Sequence, residues 1–218
     1  MAGGTDGNII SYDASGDPVA IATGNDGQVL TSAGAGAPPV FEDAGGGGAW
    51  NLIATAVASS SASLTITGLD STYDTYAVAW SDIISGEDSI SFRLRVGDSG
   101  GIDSGGSDYK YHTNTFQSNS TSFAAQATTG ADAIAIGNMG NNTGEGNGGL
   151  VYIHQPADGT MQPTISGTYC SIDDGGNTMA GCISGTRASV ITLDRVQIYP
   201  HSGDISSGRL TVWGIAHA

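Results

Sequence analysis

A chain of 218 residues that contains 35 glycines and 39% hydrophobic residues is long enough for a sizeable core, and it favours short strands joined by glycine-rich turns. Its net charge of −15, with six basic residues, argues against nucleic acid and anionic membranes as partners, because both require lysine and arginine. No apolar run approaches the roughly 20 residues of a membrane-spanning helix. The N-terminus also lacks the basic and apolar regions of a secretion signal, so we expect synthesis in a cytoplasm without export.

The first part of the chain, residues 1–44, has almost no periodic apolar pattern. Short apolar groups are separated by turn signals such as Asn25-Asp26-Gly27. About 40 residues with so few large apolar side chains cannot fold alone. We therefore predict an extended N-terminal arm that lies against the body or against other copies, a glycine-rich hinge at 45–49, and a body at 50–218. The arm residues expected to mediate attachment are Ile9, Ile10, Tyr12, Val29, Leu30 and Phe41.

The body shows the period-2 alternation of half-buried strands. Tyr76, Val78 and Trp80 share one strand face, and the segment 90–96 alternates in the same way. About ten such segments without a helical pattern predict an all-β fold, namely a jelly-roll-like antiparallel β-sandwich.

The last strand, 209–216, is predicted to pair with 187–199 across the intervening turn. Its Leu210 and Val212 occupy one face and its Trp213 and Ile215 the other, so both faces should meet apolar surface. Trp80 and Trp213 are expected in the core, whereas Trp50 is a candidate for a subunit boundary.

The two cysteines, Cys170 and Cys182, flank a predicted hairpin tip. If Gly175-Gly176-Asn177 forms a three-residue loop, the thiols lie opposite each other and a disulfide is possible. The alternative is a pair of free thiols, which suits a chain without an export signal.

Asp98, Asp103 and Asp108 recur every five residues in the loop GDSGGIDSGGSD. Carboxylates on such a loop are candidate ligands of Ca²⁺, although the spacing is not that of an EF-hand. The alternative is an ordinary solvated turn. We predict no other cofactor.

The sequence offers no catalytic constellation. The four histidines are scattered singly without metal-ligand spacing, and neither a GxSxG elbow nor a cysteine–histidine pair is present. The chain is therefore predicted not to be an enzyme, with no catalytic residues.

Aromatic residues beside the glycine-rich loop form a candidate ligand surface. Tyr109, Tyr111 and Phe116 could stack on sugars, but Tyr109 and Tyr111 alternate on one strand face, which is also the pattern of ordinary packing residues.

Three stretches together resemble virion proteins of tailed bacteriophages, such as tail fibres, head fibres and capsid decorations. They are GNIISYDASGDPVAIATGNDGQVLTSAGAGAPPVFED, then SLTITGLDSTYDTYAVAWSDIISGEDSISFRLRVGDSGG followed by SDYKYH, and VITLDRVQIYPHSGDISSGRLTVWGIA. The resemblance implies a β-sandwich protomer assembled as a homotrimer, with an N-terminal arm for attachment or intertwining. The first stretch departs from the pattern at Phe41, where the family tends to have Trp, and at Asp17-Pro18.

The resemblance leads to two functional hypotheses. The first is a non-enzymatic structural protein on the virion surface, a trimeric appendage that its arm anchors to the major capsid protein or a tail protein. Within this class we favour a capsid decoration or head fibre, because no long shaft separates arm and body. The alternative is a tail fibre or an adhesin, that is, a receptor-binding module that recognises host surface glycans.

Overall fold

The computed structural model describes residues 6–43 and 49–216. The chain divides into two compact units, Met1–Gly48 and Ala49–Ala218. The predicted hinge lies outside the described residues except for Ala49. Every regular element within the described ranges is a β-strand.

The N-terminal unit, called the arm below, consists of two short antiparallel hairpins. Their strands are β1 (Ile9–Tyr12), β2 (Pro18–Ile21), β3 (Gln28–Thr31) and β4 (Val40–Asp43). β1 pairs with β2, and β3 with β4. In the first turn the Asp13 carboxylate accepts the backbone N–H groups of Ser15 and Asp17, each at 2.9 Å. Pro18 opens β2, a position where a strand tolerates its missing N–H, so the Asp17-Pro18 departure is compatible with a hairpin.

The second unit, called the body, contains the other strands. They are β5 (Trp50–Val57), β6 (Leu64–Thr67), β7 (Thr75–Ser85), β8 (Ile90–Asp98), β9 (Gly101–Ile102), β10 (Tyr109–Gln117), β11 (Ala124–Ala131), β12 (Ile134–Met139), β13 (Gly146–His154), β14 (Thr164–Ile172), β15 (Thr178–Arg187), β16 (Arg195–Pro200) and β17 (Ile205–Ile215).

The body is a jelly roll with an enlarged sheet. Strands β5-β17-β7-β13 and strands β6-β16-β8-β12 form two facing antiparallel groups, and this strand order is that of a jelly roll. Strands β14, β15, β10 and β11 extend the first group into an eight-stranded sheet, while β9 adds to the smaller sheet by pairing with β8. The all-β antiparallel sandwich predicted from the sequence is confirmed.

The core lies between the two sheets. Alternate residues of β7 and β8 face inward as their pattern predicts, and Tyr76, Trp80, Phe92 and Leu94 are buried. The apolar side chains of the smaller sheet therefore pack against those of the larger one.

The predicted pairing of the last two strands is wrong. β17 lies between β7 and β5 in the larger sheet, and β16 lies in the smaller sheet between β8 and β6. The turn that joins them carries the chain from one sheet to the other. Leu210 and Val212 face the core and are buried, whereas Trp213 is half-buried on the outer face, so the prediction of a core position for Trp213 is also wrong.

Two polar side chains of the larger sheet reach across the core to the smaller one. Asn147 accepts a hydrogen bond from Trp80 Nε1 and donates its own N–H to the Ile136 carbonyl at 3.2 Å. Tyr109 Oη accepts the Val96 N–H and lies 2.9 Å from the Val96 carbonyl, to which it donates. Because buried polar groups require partners, these contacts fix how the two sheets face each other.

Replacement of Asn147 tests this bridge. Asn147→Ala leaves the Trp80 indole N–H and the Ile136 carbonyl buried without partners, which should lower the free energy of unfolding by about 2–4 kcal/mol. Urea unfolding followed by tryptophan fluorescence measures the change. The control Asn138→Ala, at an exposed position of the same strand as Ile136, should stay within about 0.5 kcal/mol of the wild type. Equal losses for the two variants would contradict a bridging role for Asn147.

The buried phenols predict a loss of stability at alkaline pH. Burial raises the pKa of Tyr76 to about 12, and burial also raises the pKa of Tyr109. A phenol whose pKa is higher in the folded state keeps its proton to a higher pH when the protein is folded. The free energy of unfolding is therefore unchanged below the unfolded pKa of about 10, and it decreases as the pH rises towards 12. Thermal unfolding midpoints should be steady from about pH 8 to pH 9.5 and fall above pH 10. A midpoint that stays constant to pH 11.5 would contradict this role of burial.

Candidate functional site

The arm exposes most of the apolar residues predicted to mediate attachment. Ile10 and Tyr12 on the first hairpin are 62% and 65% exposed. Ile9, Val29 and Leu30 are exposed as well. Phe41 differs, because its half-buried ring covers Gly24, where a side chain would collide with it. The two hairpins thus offer unburied aliphatic and aromatic surface.

The outer face of the larger sheet carries an aromatic cluster at one end. Trp50 contacts Trp213, with 5.7 Å between ring centroids, and Tyr152, with 6.2 Å. Leu52 lies opposite Trp213 in the neighbouring strand and is 63% exposed. We call these four residues the tryptophan patch.

The tryptophan patch adjoins the edge of the larger sheet. Within the described residues β5 pairs with a strand on one side only, namely β17. Its sequence WNLIATAV contains neither a charge nor a proline, the residues with which natural edge strands discourage further pairing. β5 therefore has both the free backbone edge and the apolar side chains of a contact surface.

The three aromatic residues predicted as a ligand surface do not form one surface. Tyr109 is fully buried, where it bridges the sheets, so its assignment to a ligand surface is wrong and the packing alternative holds. Tyr111 follows on the same inward face and is half-buried against the core. Phe116 points to the opposite face, is 59% exposed, and contacts Phe123 with 6.1 Å between ring centroids.

The three predicted calcium ligands occupy different environments. Asp103 and Asp108 both pair with Arg187, at 2.8 and 3.3 Å. Asp98 accepts the Gly100 N–H at 2.8 Å in a tight turn. Among residues 6–43 and 49–216, no group of three or more His, Cys, Asp or Glu side chains is placed to hold a metal ion. Calcium binding by this loop stays a prediction.

The two cysteines are free, so the interpretation as a disulfide is wrong. Cys170 lies opposite Ala180, and Cys182 lies opposite Thr168. Both thiols are exposed on the outer face of the larger sheet.

The position of the hairpin turn explains this register. The Asp173 carboxylate accepts the N–H groups of Gly175 and Asn177, and Gly176 has a positive φ of 73°. These bonds centre the loop on Gly175, one residue earlier than the predicted centre at Gly176. When the centre of a hairpin moves by one residue, the residue opposite any given strand position changes by two.

A polar cleft opens where the larger sheet extends beyond the smaller one. It has a volume of about 770 Å³. Its floor is the inward face of β10 and β11, with Thr113 and Thr115, and its wall is the edge strand β12 together with β8, which contribute Asn138 and Ser91. The loop that precedes β11 places Phe123 at its mouth.

The floor of the cleft also contains Tyr169. Its hydroxyl lies 2.6 Å from Thr115 Oγ1. Burial raises the pKa of Tyr169, so the group is a neutral phenol at physiological pH. Sequence patterns did not predict this cleft, because its lining comes from six strands and one loop and consists largely of ordinary serine, threonine and amide residues.

Two further findings bear on function. In the part of the chain that the structure describes, no helix has the length and apolar character needed to cross a membrane. Comparison of the chain with protein families, with curated proteins and with solved structures found no match.

Proposed function

We propose that this chain is a non-enzymatic structural protein on the surface of a tailed-phage virion, a homotrimeric appendage that its N-terminal arm anchors to the particle. The resemblance of three ordered stretches to virion proteins supports the class. The division into an arm and a body supports the attachment mode.

The observation that carries the proposal is the exposure of apolar side chains on the arm. Each hairpin has two strands of four residues, and isolated two-stranded hairpins are marginally stable in water. Ile10 and Tyr12 lie mostly in solvent, and Val29 and Leu30 on the second hairpin are each 45% exposed. A partner that covers these residues gains apolar burial and stabilises the hairpins at the same time.

The arrangement favours attachment to the capsid over a place in a tail fibre. Only residues 44–48 separate the last arm strand from the segment that enters β5, so the sequence between them is too short for a long shaft. A decoration or short head fibre on the major capsid protein fits such a short connection. A tail protein is the alternative partner.

The tryptophan patch and the edge of β5 are the proposed contact between copies of the body. The protein has a net charge of −15, so two copies repel each other over most of their surface. β5 carries no charge, so copies approach there without placing like charges against each other. Burial of Leu52 and Trp50 stabilises the contact, and three arms on one trimer then bind the particle with a raised effective concentration.

Removal of the arm tests the anchoring role. A chain without residues 1–45 should fold and remain soluble, because the core lies within the body, yet it should be absent from purified particles. Quantitative mass spectrometry of particles that assemble with the variant measures incorporation. The paired substitution Ile10→Asp and Leu30→Asp should reduce incorporation at least tenfold, whereas the control Val190→Asp, at an exposed apolar site of the body, should leave it unchanged. Normal incorporation of the truncated chain would refute the anchoring role.

The oligomeric state tests the contact between bodies. Light scattering coupled to size-exclusion chromatography should give a mass near three chains for the wild type. Leu52→Asp places a carboxylate in the tryptophan patch and should shift the protein towards monomer, while Val190→Asp should remain trimeric. A monomeric wild type would contradict the trimer, and a trimeric Leu52→Asp variant would place the contact elsewhere.

A further inference from the structure

The polar cleft is a preformed cavity with walls from both sheets. Its volume of about 770 Å³ falls within the range of roughly 300–1,000 Å³ that is typical of small-ligand sites. Hydrogen bonds of the strand ladders hold its floor and wall, so little ordering accompanies ligand binding.

The lining of the cleft contains no carboxylate among the described residues that form it, although the chain has 21 acidic residues. Arg93 is its one charged lining residue, and Arg93 Nη1 is paired with the Asp132 carboxylate at 3.2 Å. Arg95 shares the same carboxylate, at 2.6 Å, so Asp132 lies between two guanidinium groups beside the cleft. A lining without a carboxylate does not attract cations, and the negative charge of the whole protein repels anions. The ligand that fits is uncharged.

Hydroxyl and amide groups dominate the polar lining. Ser91 and Thr113 offer hydroxyls, and Gln126 and Asn138 offer amides, each of which both donates and accepts hydrogen bonds. Neighbouring hydroxyls of a sugar ring also donate and accept, so a saccharide can satisfy such a lining without any charged partner.

Phe123 supplies an apolar platform at the mouth of the cleft. Its side chain is 59% exposed, and Phe116 packs behind it. An exposed aromatic ring beside hydroxyl and amide groups provides one apolar face and several polar contacts. A sugar ring has matching groups, because it carries C–H bonds on its faces and hydroxyls around its edge.

From this geometry we propose that the polar cleft binds a neutral saccharide, with Phe123 as the stacking platform and Gln126 and Asn138 among the hydrogen-bonding groups. Hydrolysis is not part of the proposal, since glycoside hydrolysis generally uses two carboxyl groups and the lining residues provide none. The inference concerns the body alone and does not depend on attachment to a particle.

Saturation-transfer NMR and calorimetry on the full chain test the site with defined probes. Maltotriose, cellotriose, chitotriose and a galactose trisaccharide serve as neutral probes, each at millimolar concentration. At least one should bind, and Phe123→Ala should weaken its binding about tenfold, because the variant removes the apolar face on which the sugar ring stacks. Gln126→Ala should weaken it at least threefold.

The matched control is Met161→Ala. Met161 is an exposed apolar residue of the body, at 48%, and it does not line the cleft. Its removal should change the affinity less than twofold. Equal losses in Met161→Ala and Phe123→Ala would show that the loss does not come from the cleft, and they would overturn the proposal.

Three other outcomes would also overturn it. They are failure of every neutral probe to bind, binding that Phe123→Ala leaves unchanged, and preferential binding of trigalacturonate or of an extended serine-rich peptide. The last outcome would identify an anionic ligand or a peptide that adds to the free edge of β12.

Discussion

The contact between the two sheets determines where every functional surface of the body lies. Asn147 and Tyr109 each satisfy buried polar groups of the smaller sheet from the larger one, so the sheets cannot slide without leaving donors or acceptors unpaired. That fixed position leaves β11 and part of β10 beyond the edge strand β12. The polar cleft is the space below this extension.

Arm and body differ in how far they bury their apolar side chains. The body buries Trp80, Phe92 and their neighbours between two sheets, whereas the arm consists of hairpins whose apolar residues remain exposed. The body, with its buried core, is suited to be stable by itself. The arm, with its exposed apolar side chains, is suited to bind a partner. The proposal of an anchored appendage follows from this contrast together with the sequence resemblance.

Period-2 patterns predicted much of the fold, because residues such as Tyr76, Val78 and Trp80 alternate strictly between core and surface. Two of the longer body strands were not predicted, for physical reasons. β5 is apolar on both faces, and β11, with the sequence AAQATTGA, has no large apolar side chain to mark a face. The partners of β17 were also predicted wrongly, because a short turn of polar residues has the same sequence pattern whether it closes a hairpin or connects two sheets. The site was harder still: Tyr109 and Phe116 appear as one aromatic group in the sequence, yet odd and even positions of a strand face opposite sides.

An appendage anchored in this way requires an arm that becomes covered only when it meets its partner. Hydrogen–deuterium exchange, measured on the free protein and on the protein bound to purified particles, tests this directly. We expect the amides of β1 to β4 to exchange rapidly in the free protein and to become strongly protected on the particle. The amides of the body strands should be protected in both states. Arm amides that are already as well protected as the body in the free protein, with no change on the particle, would contradict the account.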